Sequence, residues 1–197
     1  QVRGEAVNRA ELANIALALT PGLHAKLPYD AVKDLAPIIL IASQPSALAV
    51  TPSLPVNSVK DLIALARSKK LNFASSGSGG VGHIAGEMFK MMTGTDLLPV
   101  PYKGGGPIAI DLVAGHVMSS FSTMPPIIPH SQSHRVRAIA VTTAKRAAVL
   151  PDVPTIGETV PGYVMSTWYG AVAPVKTPRD IVQRLNQEMV KALALPD

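Results

Sequence analysis

The sequence predicts an α/β fold with parallel strands. Two observations carry that expectation. A strand, a glycine-rich loop and a helix follow one another twice, first at 71–92 and again at 97–114. Composition is the other: 47% of the 197 residues are hydrophobic, enough to bury a core, yet no run of 18 apolar residues exists to span a membrane.

Taken in order, Arg9–Leu19 reads as a helix with Leu12, Ile15, Ala16 and Leu19 on one side, broken by Pro21-Gly22. Asp30, in a Pro-Tyr-Asp turn, is expected to cap a short helical piece at Ala31–Leu35. Pro37–Ala42 reads as a buried strand and Ala47–Thr51 as another. Ser58 is an N-cap for a helix over Val59–Ser68, with Asp61 three residues on. Its buried face is Val59, Leu62, Ile63, Leu65 and Ala66.

Leu71–Ser75 is the strand that enters the first glycine loop, Ser76–Gly82. The helix after it carries Ile84, Met88, Met91 and Met92 near a 3.6 period. Leu97–Tyr102 is the next strand. Lys103-Gly104-Gly105-Gly106-Pro107 is the second loop, leading into a helix at Ile108–Ala114 that Gly115 ends. Val117–Phe121 reads as a strand with hydroxyls at its end, and Met124–Pro129 as a proline-rich loop. Val136–Thr142 is a further buried strand, and Thr142–Pro161 a long polar connection. Tyr163–Ala173 is an extended apolar run, where Trp168 and Tyr169 are expected to pack in a core or, alternatively, to line a cleft or hinge. Asp180–Leu193 closes the chain as an amphipathic helix with Ile181, Leu185, Met189 and Leu193 inward.

In a parallel sheet, ligands bind beyond the carboxyl ends of the strands, where both glycine loops lie. Gly77, Gly79, Gly80 and Gly82 are expected to allow φ > 0 and to remove side chains that would block a ligand. The helix start after them offers unpaired N–H groups and the positive end of a dipole. That makes an anion site. The candidate donors are Ser75, Ser76, Gly77, Ser78, Gly79, Gly80, Val81, Gly82 and His83, with Tyr102, Lys103 and Gly104 of the second loop. Ser122 and Thr123 at the later strand end join them.

A dinucleotide is disfavoured although Gly77–Gly82 fits G-x-G-x-x-G. The following strand ends in Lys103, without the ribose-binding acid. Gly82 is followed by His83 and Ile84, so no Walker lysine exists. No cofactor is expected. His83 and Glu87 are four residues apart but find no third ligand, so no metal is expected. No G-x-S-x-G elbow is present. Zero cysteines exclude disulfides. Formal net charge is +5, and no Asp or Glu occurs from Leu112 to Pro151. That stretch holds Arg135, Arg137, Lys145, Arg146, His116, His130 and His134, too dispersed for a nucleic-acid patch; aromatics, at 4%, are scarce. Two readings stay open: a protein that binds a small carboxylate without turnover, and an α/β enzyme acting on a small anionic substrate.

Several stretches together resemble one family. LPYDAVKDLAPI, ASSGSGGVGHIAGEMFK, VPYKGGGPIAIDLVAGHV, IAVTTAKRAAVLPDVPTIGE and WYGAVAP occur in the order of the tripartite tricarboxylate transporter substrate-binding proteins, also called the Bug family. The resemblance runs from about Leu27 to the C-terminus. It implies a type II periplasmic-binding-protein fold, with two α/β lobes around a cleft. It implies a periplasmic location, a di- or tricarboxylate ligand and membrane permease subunits as partners. Residues 1–55 and 167–197 would be part of the first lobe, and 56–166 the second. The family's N-terminal Pro-Gly-Gly loop is not in this sequence, so the first lobe is expected to be incomplete. The family carries Ser or Thr just before the histidine, where this chain has Gly80, Val81 and Gly82. It often has Asp where Ser122 stands, which suits amino-group ligands, so Ser122 points to a plain carboxylate.

Overall fold

The computed structural model describes residue 30 and residues 33–195, so the Arg9–Leu19 helix expected from sequence lies outside the described residues. The chain divides into two compact units, one ending at Gln44 and resuming at Thr167, the other Pro45–Ser166.

In the first unit, β1 (Leu35–Gln44) pairs antiparallel with β7 (Thr167–Pro174). The last helix, α5 (Arg179–Leu193), packs on this ribbon through Val182, Met189, Val190 and Leu193 against Ile38, Ile39 and Ala173. Asn186 Nδ2 donates to the Ile38 carbonyl at 2.7 Å, tying helix to strand. Only Ile38 and Ile39 of the expected buried strand are buried, because a two-stranded ribbon has one covered face. The α5 face is also rotated: Ile181 and Leu185, expected inward, are exposed. Trp168 is half-buried and Tyr169 exposed, its hydroxyl accepting from Gln44 Nε2. Neither is in a core. Asp30 Oδ1 accepts from the Lys33 N–H, but the chain is extended by Leu35, so no helix runs that far.

The second unit is a five-stranded sheet in the order β4-β3-β5-β2-β6. The strands are β2 (Ser46–Val50), β3 (Leu71–Ser75), β4 (Leu97–Pro101), β5 (Ser119–Thr123) and β6 (Arg137–Val141). β3 is parallel to β4 and β5, while β2 is antiparallel to both β5 and β6. The sheet is therefore mixed, with β2 alone reversed. Expected in the first lobe, β2 belongs here because both its edges are hydrogen-bonded into this sheet.

Helices cover both faces. α1 (Val59–Ser68) and α2 (Val81–Thr93) close one apolar layer, in which Phe73, Phe89, Phe121 and Tyr163 meet. Phe73 and Phe121 stand edge to face with centroids 5.6 Å apart. The Tyr163 hydroxyl donates to the Ala85 carbonyl, so its buried polar end is satisfied. α3 (Gly105–Ala114) and α4 (Met124–Gln132) close the other layer over Ala47, Ala49, Ala74 and Val141.

Two expectations fail here. The proline-rich stretch after β5 is the helix α4, not a loop. Two of its prolines fall in the first turn, where a missing N–H costs nothing, and Met124 and Ile127 are buried. The period of α2 is as expected but its phase is not. Gly82, Ala85, Gly86, Phe89 and Thr93 face the sheet, and Met91 is 80% exposed. Small residues win that face because the helix lies close to the strands: a Cβ on Gly86 would sit 2.2 Å from the Phe73 ring. In α1, Val59, Leu62 and Ala66 are buried while Ile63 and Leu65 pack at the margin.

Candidate functional site

Because β3, β4 and β5 run the same way and β2 is reversed, one sheet edge collects the ends of the first three and the start of the last. Both glycine loops open there. After Ser75 the chain turns back at once, the Gly77 N–H donating to the Ser75 carbonyl. Gly77 and Gly79 take φ of +83° and +77°, a region that L side chains avoid. Gly80, the α2 N-cap, has φ −73°, so the expectation that it needs positive φ is wrong. Its constraint is space: a Cβ there would lie 2.5 Å from the Ser76 carbonyl oxygen.

The start of α2 is uncapped. No side chain bonds its first N–H groups and no acid stands in its first turn. The N–H groups of Val81, Gly82 and His83 have no partner among the described residues. Gly79 is different: its N–H donates to His83 Nδ1 at 3.0 Å. Sequence reasoning offered the Gly79 N–H and the His83 ring as ligand donors; this contact uses the Gly79 N–H and His83 Nδ1, and leaves Nε2 as the ring's donor. His83 Nε2 lies 3.9 Å from Glu87, which is paired with Lys90 at 3.0 Å. No group of three metal-binding side chains occurs among the described residues.

The second loop repeats the arrangement. The Tyr102 N–H donates to the Ser75 carbonyl at 2.8 Å, joining the two strand ends. Its hydroxyl donates to Asp111 Oδ2 at 2.6 Å and is thus committed to α3. Burial and then Asp111 push the phenol up to about 12; the Tyr102 hydrogen bond, followed by His116, holds Asp111 below the usual carboxylate range. Lys103 is exposed and has no ion pair among the described residues. Gly104 is the N-cap of α3, again without a side-chain cap or an acid in the first turn. The N–H groups of Gly105 and Gly106 are free there among the described residues.

Hydroxyls fill in around these helix starts. Ser75 and Ser122 are buried, and their Oγ atoms have no hydrogen-bond partner within the described residues. Ser122 Oγ lies 3.4 Å from where a Cβ on Gly105 would be, against the first residue of α3. Ser46, which the sequence did not single out, is a third buried, unpartnered hydroxyl; it opens β2 opposite Thr123. Only the reversal of β2 brings it to this edge. Ser76 and Ser78 are exposed on the first loop and Thr123 is half-buried.

The arrangement offers backbone N–H and hydroxyl donors to an anion. No serine hydroxyl bonds an imidazole nitrogen among the described residues. No helix of the described residues is long and apolar enough to cross a membrane.

Comparison with known proteins agrees. The family described as the tripartite tricarboxylate transporter family receptor matches residues 10–197. A Pseudomonas sp. strain P51 protein, encoded between tcbD and tcbE, is 39% identical over 178 residues, 88% of this chain and 53% of its own length. A protein of R. palustris solved with adipate is 41% identical with a TM-score of 0.76, covering 87% of this chain and 58% of that one. MatC of Rhodopseudomonas palustris, solved with bound malate, is 29% identical with a TM-score of 0.77, covering 95% and 63%. The chain thus spans about half the length of the curated relatives it matches. By sequence across nearly its whole length and by fold, this chain belongs to the tripartite tricarboxylate transporter receptors, the Bug family of solute-binding proteins.

Proposed function

We propose that this chain is a solute-binding module that captures a small, plain carboxylate in the periplasm and delivers it to the permease subunits of a tripartite transporter. The observation that carries the reading is the pair of uncapped, acid-free helix starts at one sheet edge, with Ser75 and Ser122 buried and unpartnered beside them. The loop after β3 offers the N–H groups of Val81, Gly82 and His83, and the loop after β4 those of Gly105 and Gly106. Each helix end adds up to about 2 kcal/mol for a partly buried anion. Each charge-assisted hydrogen bond adds roughly 1.5–3 kcal/mol. Ser76, Ser78, Thr123 and Lys103 stand at the rim. In this reading residues 45–166 form the second lobe, and 33–44 with 167–195 belong to the first.

The relatives named with adipate and malate support this ligand class, and Ser122 supplies no acid to hold an amino group. Membership of a receptor family supports binding without turnover. Calorimetric titration of the chain with adipate, malate, ATP and NAD tests it. Saturable binding of a dicarboxylate, with none of either nucleotide, is the expected result. Nucleotide binding, or silence toward every dicarboxylate, overturns it.

A further inference from the structure

The two helices α1 and α2 share one feature at their starts and differ in the cap and in the group that makes it. In α1, Ser58 is the N-cap and its Oγ accepts from the Asp61 N–H at 3.1 Å. Asp61, the third helical residue, reaches back beyond the cap and accepts from the Asn57 N–H at 3.0 Å. In α2, Gly80 is the N-cap, so no side chain covers the first turn. His83, again the third helical residue, reaches back beyond the cap, and its Nδ1 accepts from the Gly79 N–H at 3.0 Å. The same backward reach is thus made by a carboxylate in one helix and by an imidazole in the other. An acceptor at Nδ1 places any single ring proton on Nε2, so the ring that fastens the loop carries no negative charge.

We infer that His83 is a positioning residue: a charge-free acceptor that fastens the glycine loop to α2 without spending the positive potential of the helix start. The inference rests on the carboxylate reading above. An aspartate or glutamate at position 83 would make the better helix cap, since acids belong in a first turn. It would also set a full negative charge among the N–H groups of Val81 and Gly82. The neighbouring strands set no competing charge there, since β3, β4 and β5 contain no ionisable side chain. Glu87, one turn on, is offset by its pair with Lys90.

Three substitutions separate the roles. His83→Asn keeps an acceptor at the position of Nδ1. His83→Asp keeps the acceptor and adds charge. His83→Ala removes the acceptor. With adipate as the probe, Asn is expected to hold affinity within about threefold, and Ala to lose about three- to tenfold, the loss of one neutral hydrogen bond. Asp should lose tenfold or more while its thermal midpoint stays at or above that of the wild type. Retained affinity in Asp, or equal losses in Asn and Ala, overturns the inference. A second measurement needs no ligand: in the 15N-labelled wild-type chain, the Gly79 amide nitrogen should show scalar coupling to His83 Nδ1 across the hydrogen bond. Its absence overturns the fastening. Coupling in a chain that ignores adipate supports the fastening and counts against the carboxylate reading alone.

Discussion

A Cβ placed on Gly82 would lie 2.0 Å from the carbonyl oxygen of Phe121. The second residue of α2 thus rests directly on the end of β5, which brings the α2 N–H groups to the strand end where Ser122 follows. Gly82→Ala is expected to destabilise the 45–166 unit by about 1–3 kcal/mol or more, because backbone cannot move aside as a side chain can. Gly106, in the first turn of α3, has nothing within 4 Å of its would-be Cβ and no positive φ. Gly106→Ala should cost less than Gly82→Ala, since only the following Pro107, and no backbone from another element, crowds its Cβ. Urea unfolding of both variants measures the contrast; equal effects would refute the close approach of α2 to β5.

Ser122 separates binding from folding. Its Oγ is buried without a partner, so the fold gains nothing from it. Ser122→Ala should leave the urea midpoint at or above that of the wild type while weakening adipate binding about three- to tenfold. A variant that loses stability but keeps affinity would place the hydroxyl outside the site.

Ser78 and Gly80 test which part of the first loop matters. Ser78 is exposed, and Ser78→Ala removes one side-chain donor while every backbone donor remains. Gly80→Val drives a branched side chain into the Ser76 carbonyl, 2.5 Å away, and must displace the loop. The expected order of lost adipate affinity is a few-fold for Ser78→Ala and far more for Gly80→Val. The reverse order would show that side chains, not the helix start, hold the ligand.

Glu158 gives an acid-side signature. Hydrogen bonds from Arg146, first, and from the Thr155 N–H, next, hold its carboxyl down from 4.5 to about 2. A depressed carboxylate contributes stability that is present above pH 4.5 and lost as pH falls through about 2. Glu158→Gln should therefore lower the thermal midpoint at neutral pH, and the gap from wild type should close across that window. A gap that stays constant with pH would rule out the ionised pair as its source.

Tyr102 gives the alkaline counterpart. Its phenol is raised from 10.0 to about 12, by burial and then by Asp111. A raised group contributes stability that is present below pH 10 and lost as pH rises through about 12. Ultraviolet titration of the phenolates should show a late-ionising tyrosine at about pH 12 that Tyr102→Phe removes. Loss of a phenolate that titrates near pH 10 instead would mean that burial and the Asp111 hydrogen bond do not hold the phenol up in solution.

What the sequence by itself determined was local. Ser58 and Asp61 mark the start of α1 to the residue, Gly115 marks the end of α3, and short runs leading into the glycine loops mark β3 and β4. Two strand–glycine loop–helix units in succession were enough for the α/β class and for placing both glycine loops at the carboxyl strand edge. Those signals are legible because caps, left-handed glycines and periodicity act over a few neighbouring residues. The tertiary structure alone decided the rest. It reversed β2 between β5 and β6, which carried Ser46 to the site. It turned the small residues of α2 toward the sheet and left Met91 in water, because closeness to β3 and β5 outweighed side-chain hydrophobicity. It made a helix of Met124–Gln132, since burial of Met124 and Ile127 offsets its prolines. It also bent His83 back onto Gly79, so that the ring's Nδ1 accepts from the glycine loop. Each of these depends on partners far away in the chain, and no window of sequence contains both halves of such a contact.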